Sequence, residues 1–343
     1  MSSPAGGGIE SQSTWTCRST RVFAAIAGAE RSAPITVKTP SCADRLDVHT
    51  RSSVGLGDNI RVSVFDEWRL GDFSTDICAV RPDAKRTCSH FDMPPGQFIV
   101  HGVFPATRAG EWRIELSNPA ETPPHQLVVQ RKKYPAGQPK VLATGDSMML
   151  TTTVALRHQL SGKARTIDDV YAGSGISRPF VIDWAKLPGQ QVKAYRPDAT
   201  IISLGMGDGR ALSSPDGTVS CCGPEYVAAY AKRARPVMQT YSRGGRGAVV
   251  WLNDPFQRDP AREPQTTAVN AAVAEAARGL ERVKVIDLAA VFTPDGTYQQ
   301  YQVRNGTRTR VRAGDGIHLS PAGARIASRL AITALHKLGV KVR

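Results

Sequence analysis

The sequence has no apolar run near the roughly 18 residues that a membrane-crossing helix requires, so it offers no candidate span. Cysteine numbers only six and histidine seven, and neither falls into paired Cys-x-x-Cys units, which argues against a structural zinc site. Nothing else in the chain calls for a metal or an organic cofactor. The N-terminal MSSPAGGGIESQST has no basic stretch followed by an apolar one and so does not read as a signal peptide. Its Gly and Ser content predicts a flexible tail over residues 1–13. A concentrated basic block with interleaved aromatics is missing too, and with it the expectation of a specific nucleic-acid partner.

What is abundant is dispersed positive charge. Forty-four Lys and Arg against 30 Asp and Glu give a net charge of +14, which favours long-range attraction to polyanions such as acidic glycans or an anionic envelope surface. Cys78 and Cys88 flank a short segment containing Pro and Asp, as a hairpin disulfide would, and Cys17 with Cys42 could close a second loop. Cys221 and Cys222 could bond to each other, reach separate partners or stay reduced. An even count so placed points to an oxidising, extracytoplasmic compartment, with six reduced thiols as the alternative.

Two grammars divide the chain. From about Ser41 to Arg131, short alternating segments such as 59–66, 97–104, 111–116 and 125–130 recur with turn residues between them, the pattern of an all-β sandwich spanning residues 14–131. Pro, Gly and Lys then cluster without periodicity over 132–140, as in a linker. From residue 141 to 343, apolar strands at 141–145, 166–172, 198–205, 248–252 and 283–288 alternate with amphipathic helices, which predicts a parallel sheet covered on both faces. The last helix opens with Ser320-Pro321, a capping hydroxyl followed by a proline suited to the first helical turn.

Ligands of an open α/β sheet gather at the carboxyl ends of its strands. The first such strand runs directly into Gly145-Asp146-Ser147 and a helix, so Ser147 serves either as a helix cap or as a nucleophile at that rim. Asp315 and His318 precede the final helix on a loop returning to the same rim. A serine hydroxyl needs a base to accept its proton and a carboxylate to orient the base, and these two residues have the required types. The other reading of His318 is a loop histidine satisfied by backbone contacts.

GDS at 145–147 and DGIH at 315–318 resemble the first and last blocks of the SGNH/GDSL hydrolases, and SGISRPFVIDW at 174–184 resembles the SGLxRPDFFDW stretch of their periplasmic domain-of-unknown-function 459 subfamily. ISLGMGDGR at 202–210 is similar to the block written GAND, and VVWLNDP at 249–255 to a strand ending in WxGxP. The resemblance covers about residues 140–338, in order. It implies a flavodoxin-like three-layer α/β/α domain of the SGNH hydrolase type, following the N-terminal β-sandwich. It further implies Ser147 as nucleophile, Asp315 and His318 as partners, and an oxyanion held by N–H groups of Ser147, Gly175 and Gly207.

At position 207 the family carries Asn, whose amide donates to the oxyanion, whereas Gly207 can offer only its backbone. Losing one such donor costs about 2.7–4 kcal/mol of transition-state stabilisation. Asn253 at the end of the fourth strand is the first substitute to test, against its reading as a turn residue before Pro255. Arg178 and Arg210, in loops that should overlook the pocket, are candidates to fork onto an anionic part of a substrate. The activity these features imply is ester cleavage through an acyl-enzyme, with an O-acylated envelope glycan or another ester as substrate. O-acyl transfer to a glycan, or glycan binding without catalysis, are the alternatives.

Overall fold

The computed structural model describes residues 20–22, 35–37, 46–50, 53–66, 73–93, 99–117, 125–130, 137–214 and 217–342. The tail, Cys17, Cys42 and residues 132–136 of the expected linker lie outside the described residues.

Two sheets make up the N-terminal β-rich region. Strands Leu46–Thr50, Asn59–Asp66 and Ile99–Pro105 form one, and Ser53–Gly55, His125–Gln130, Gly110–Leu116, Phe73–Val80 and Arg86–Met93 form the other. A separate antiparallel pair joins Thr20–Val22 to Ile35–Val37. In NIRVSVFD every second residue turns inward, so Ile60, Val62 and Val64 meet Ile77, Trp112, Ile114, Leu127 and Val129 of the second sheet in one core. Cys78 and Cys88 are directly opposed on neighbouring strands and are disulfide-bonded, as their spacing suggested. Cys221 and Cys222 are bonded to each other.

The α/β region holds five parallel strands, β1 (Lys140–Gly145), β2 (Arg165–Val170), β3 (Ala199–Ser203), β4 (Ala248–Leu252) and β5 (Val283–Ile286), in the order β2-β1-β3-β4-β5. This is the flavodoxin-like order, whose switch point lies between β1 and β3. The central strands β3 and β4 are buried at every residue, which is why AVVWL is an unbroken apolar run and ATIIS shows no alternation of apolar and charged residues. The helices are α1 (Met148–Gln159), α2 (Leu187–Tyr195), α3 (Pro224–Ser242), α4 (Glu263–Ala277), α5 (Leu288–Phe292) and α6 (Pro321–Lys337). Residues of α1 and α6 build the core on one face of the sheet, and those of α2, α3 and α4 build it on the other. Helix α2 went unseen in the sequence, because it is short, has the poor helix former Gly189 in its first turn and is preceded by Lys186 in place of a capping side chain. Among the described residues no helix is long and apolar enough to cross a membrane.

The β-rich region meets the α/β region along β2 and its exit. Arg61 pairs with the buried Asp169 and lies over the Tyr171 ring at 4.7 Å, Asn59 donates to the Tyr195 hydroxyl at 2.6 Å, and Arg165 reaches Asp58 at 2.5 Å. His101 Nε2 lies 3.0 Å from the Ala172 carbonyl, which can only accept, so Nε2 carries the proton and Nδ1 accepts from Ser63 Oγ at 2.9 Å. Burial is the main reason that the His101 pKa falls to about 4, with Arg61 adding to the shift and the Ala172 hydrogen bond opposing it.

A histidine whose folded pKa lies below its ordinary 6.5 contributes stability that is present above that value and is lost as pH falls towards the folded one. Melting temperatures taken between pH 7 and pH 4 are expected to fall, and to fall less steeply in His101→Gln, which has no imidazole to charge. An equal slope in the two proteins would show that His101 is not the group responsible.

Candidate active site

Strand β1 ends in Gly145 at φ +134°, where a Cβ would lie 1.8 Å from the Ser203 carbonyl oxygen, so only glycine lets β1 approach β3 so closely at this point. Asp146 then turns inward, and its Oδ1 accepts the Met148 N–H at 2.9 Å. Asp146 thereby does the work expected of a capping serine. Ser147 makes no side-chain cap bond, and its Oγ instead stands 2.8 Å from His318 Nε2.

His318 Nδ1 lies 2.6 Å from Asp315 Oδ2. An ionised carboxylate can only accept, so Nδ1 carries the proton and Nε2 is free to accept the Ser147 hydroxyl hydrogen. Desolvation alone would raise the Asp315 pKa, but the His318 hydrogen bond and the N–H groups of Ile317 and His318 outweigh it and hold the carboxyl at about 2. The loop is also stapled from beneath. Arg312, fully buried, donates to the carbonyls of Phe256 at 2.8 Å and Ile317 at 2.7 Å, while Ser320 Oγ caps α6 through the Gly323 N–H at 3.1 Å. Burial lowers the Arg312 pKa to about 10, against the pull of Tyr298, Asp254 and Asp315.

Across the rim, the loop after β2 is gathered by one carboxylate. Asp208 accepts the N–H of Ile176 at 3.1 Å, the N–H and Oγ–H of Ser177 at 2.6 and 2.7 Å, and the Tyr230 hydroxyl at 2.7 Å. A Cβ on Gly175 would sit 2.5 Å from Asp208 Oδ1, so the approach requires glycine there. Asp146 Oδ2 similarly accepts the N–H groups of Gly205 and Met206 at 3.0 and 3.1 Å. Burial pushes Asp146 up to about 6 and raises Asp208, with the donated hydrogen bonds opposing both shifts. Asp254, buried beside Asp146, is raised well above its ordinary value, and its Oδ1 has no hydrogen-bond partner among the described residues. With their neighbours engaged, the N–H groups of Ser147, Gly175 and Gly207 have no acceptor among the described residues, and they lie at the carboxyl ends of adjacent strands β1, β2 and β3. Such free, oriented donors are what a developing oxyanion requires.

The sequence-predicted residues therefore divide. Ser147, His318 and Asp315 form one hydrogen-bonded chain. Gly175 lies against Asp208 in the loop after β2, Gly207 lies in the loop after β3, and Arg178 lies beside Gly207, with its Nε 3.8 Å from where a Cβ at 207 would be. Arg210 rests over the Phe180 ring at 5.1 Å. Asn253 is a correction. Its Oδ1 accepts the Leu288 N–H at 2.6 Å and its amide donates to Asp287 at 3.1 Å, so it fastens the start of α5 and does not replace the missing oxyanion donor. Sequence reasoning missed Asp208 and Arg312, which bind the backbone of residues 31, 32 and 56 positions away and carry no local signature of it. An open cleft of about 470 Å³ lies before the serine, lined by Ser147, Leu150, Thr151, Arg310, His318 and Leu319.

A five-stranded parallel sheet in this order, with flanking helices, is a flavodoxin-like three-layer α/β arrangement, here preceded by a β-rich region. The chain belongs to the family described as "Protein of unknown function (DUF459)", whose model matches residues 140–334. Comparison with curated proteins gives no match. Among solved structures, the chain is similar to a gut microbial diltiazem-metabolizing enzyme at 12% identity and TM-score 0.36, covering 58% of this chain and 47% of that one. It is also similar to a carbohydrate esterase whose active site is reported to display divergent catalytic and non-catalytic binding functions, at 15% identity and TM-score 0.38, covering 85% of this chain and 95% of that one.

Asn253→Ala is expected to lower stability by about 1–2 kcal/mol in urea unfolding, through the lost cap of α5. It should leave the reactivity of Ser147 towards a fluorophosphonate probe unchanged. A slower labelling rate at unchanged stability would restore Asn253 to the donor set.

Proposed function

We propose that this protein is a serine esterase that cleaves an O-acyl ester through an acyl-enzyme. The observation carrying this reading is the chain from Ser147 Oγ to His318 Nε2 and from His318 Nδ1 to Asp315, set beside backbone N–H groups without acceptors. His318 Nε2 takes the hydroxyl proton as Ser147 Oγ bonds to the ester carbonyl carbon. The carbonyl oxygen gains the electron pair, and the N–H groups of Ser147, Gly175 and Gly207 receive it. Collapse expels the alcohol with the proton returned by His318, and a water deprotonated by the same imidazole releases the acid. Asp315 stays ionised throughout and keeps the imidazole in the required tautomer.

An O-acylated envelope glycan is the substrate we favour. The net charge of +14 supports attraction to an acidic polymer, and the Cys78–Cys88 disulfide supports an extracytoplasmic site.

Purified protein is expected to hydrolyse 4-nitrophenyl acetate and to be labelled by a fluorophosphonate at Ser147, both abolished in Ser147→Ala. Asp315→Asn should lower kcat by roughly two to four orders of magnitude. Because the Asp315 carboxyl is held at about 2, its own protonation should remove activity only near that pH. Labelling that persists in Ser147→Ala would overturn the assignment of the nucleophile, and preferential transfer of acetate to an added glycan over water would convert the reading to acyl transfer.

A further inference from the structure

The segment 205–210, between β3 and the hairpin of Leu212–Ser214 with Gly217–Val219, is bordered by three arginines. Arg178 flanks Gly207, where an added Cβ would lie 3.1 Å from the Ser174 carbonyl oxygen and 3.8 and 3.9 Å from Arg178 Nε and Cζ. Position 207 thus has the Arg178 guanidinium beside it and no room for a larger side chain without a shift of its neighbours. Arg210 has its main-chain N–H on Ser177 Oγ at 3.3 Å and its guanidinium over Phe180. Arg262 donates to Gln265 Oε1 at 2.9 Å, and Gln265 in turn donates to the Met206 carbonyl at 3.1 Å.

None of the three has a carboxylate partner among the described residues. Arg81 and Arg108 pair with Asp83, Arg165 with Asp58 and Arg61 with Asp169, whereas Arg178, Arg210 and Arg262 lie close enough for the first to feel the like charge of the other two with no carboxylate among the described residues paired to any of them. The acid closest in sequence to Gly207, Asp208, already accepts four hydrogen bonds from Ile176, Ser177 and Tyr230. Arg178 spends one N–H on the Gly173 carbonyl at 3.1 Å, while its Nε–H is buried with no acceptor. Leaving a charged donor buried and unmatched is unfavourable unless something else supplies the acceptor. Burial, followed by the like charge of Arg210 and then of Arg262, lowers the Arg178 pKa, with Asp208 opposing the shift.

We propose that an anionic group of the substrate, a carboxylate or a phosphate, binds beside Gly207, where Arg178 holds it and Arg210 and Arg262 draw it in. The proposal rests on the esterase reading of the same site and adds the substrate's charge. A guanidinium fork matches either oxyanion in two parallel hydrogen bonds, and an Asn at position 207 would fill the space that the anion needs. The glycine is then a specificity device. It gives up a side-chain oxyanion donor and gains a place for charge.

Inorganic phosphate and succinate are the probes, used at constant ionic strength. One or both should inhibit wild-type hydrolysis of neutral 4-nitrophenyl acetate saturably and raise the melting temperature, the stronger of the two identifying the oxyanion. Arg178→Gln and Gly207→Asn should each weaken both effects about tenfold or more, and Arg210→Gln and Arg262→Gln by a few-fold. Arg278→Gln, on the exposed end of α4, should leave both unchanged. Anions that neither inhibit nor stabilise the wild type, or that act equally on Arg178→Gln, would overturn the proposal. The melting readout needs no turnover, so a protein that binds the anion but neither hydrolyses the ester nor labels at Ser147 would sink the esterase reading and leave the anion site standing.

Discussion

The carboxylate of Asp208 is the interaction on which the site's second wall depends. By accepting the N–H groups of Ile176 and Ser177, it dictates the path of the loop after β2, and Gly175 can come so close only because it has no side chain. Asp146 does the same for the turn after β3 and the start of α1. Taking these acids out of water is unfavourable, as the raised pKa of each records, and the bonds to main-chain donors offset part of that cost. Bonds to the main chain determine where the backbone runs, so the neighbouring N–H groups are left unpaired in a determined place.

Much of the architecture could be read from the chain. Strand 59–66 was visible because its apolar residues alternate, and β3 and β4 because a strand buried on both faces needs no alternation. Ser147, Asp315 and His318 stood out because each sits at a junction with strong local signals, a strand-to-helix turn in one case and a capped helix start in the other. What escaped notice is non-local. Asn253 finds its partner 35 residues away on α5, so the turn chemistry around Pro255 said nothing of its role. Asp208 binds residues 31 and 32 positions earlier, and Arg312 reaches back 56 positions to Phe256. Side chains that serve distant backbone carry no periodicity by which to be recognised.

The β-rich region is joined to this machinery through a short path. Its His101 holds the Ala172 carbonyl, three residues before Gly175, while Arg61 covers Tyr171 and pairs with Asp169 at the end of β2. The strand that delivers the Gly175 loop is therefore clamped on one side by a sheet from the other part of the chain and on the other by Asp208.

Ser147 and His318 are separated by 171 residues, with the whole of the parallel sheet beyond β1 between them in the chain. During synthesis the hydroxyl emerges early and the imidazole near the end, and α6 must pack against α1 before the two can meet. A nascent chain that has not yet released its final helix therefore cannot hold the hydrogen bond between the Ser147 hydroxyl and His318. The order of the residues along the polypeptide thus ties the assembly of this hydrogen-bonded chain to completion of the α/β region.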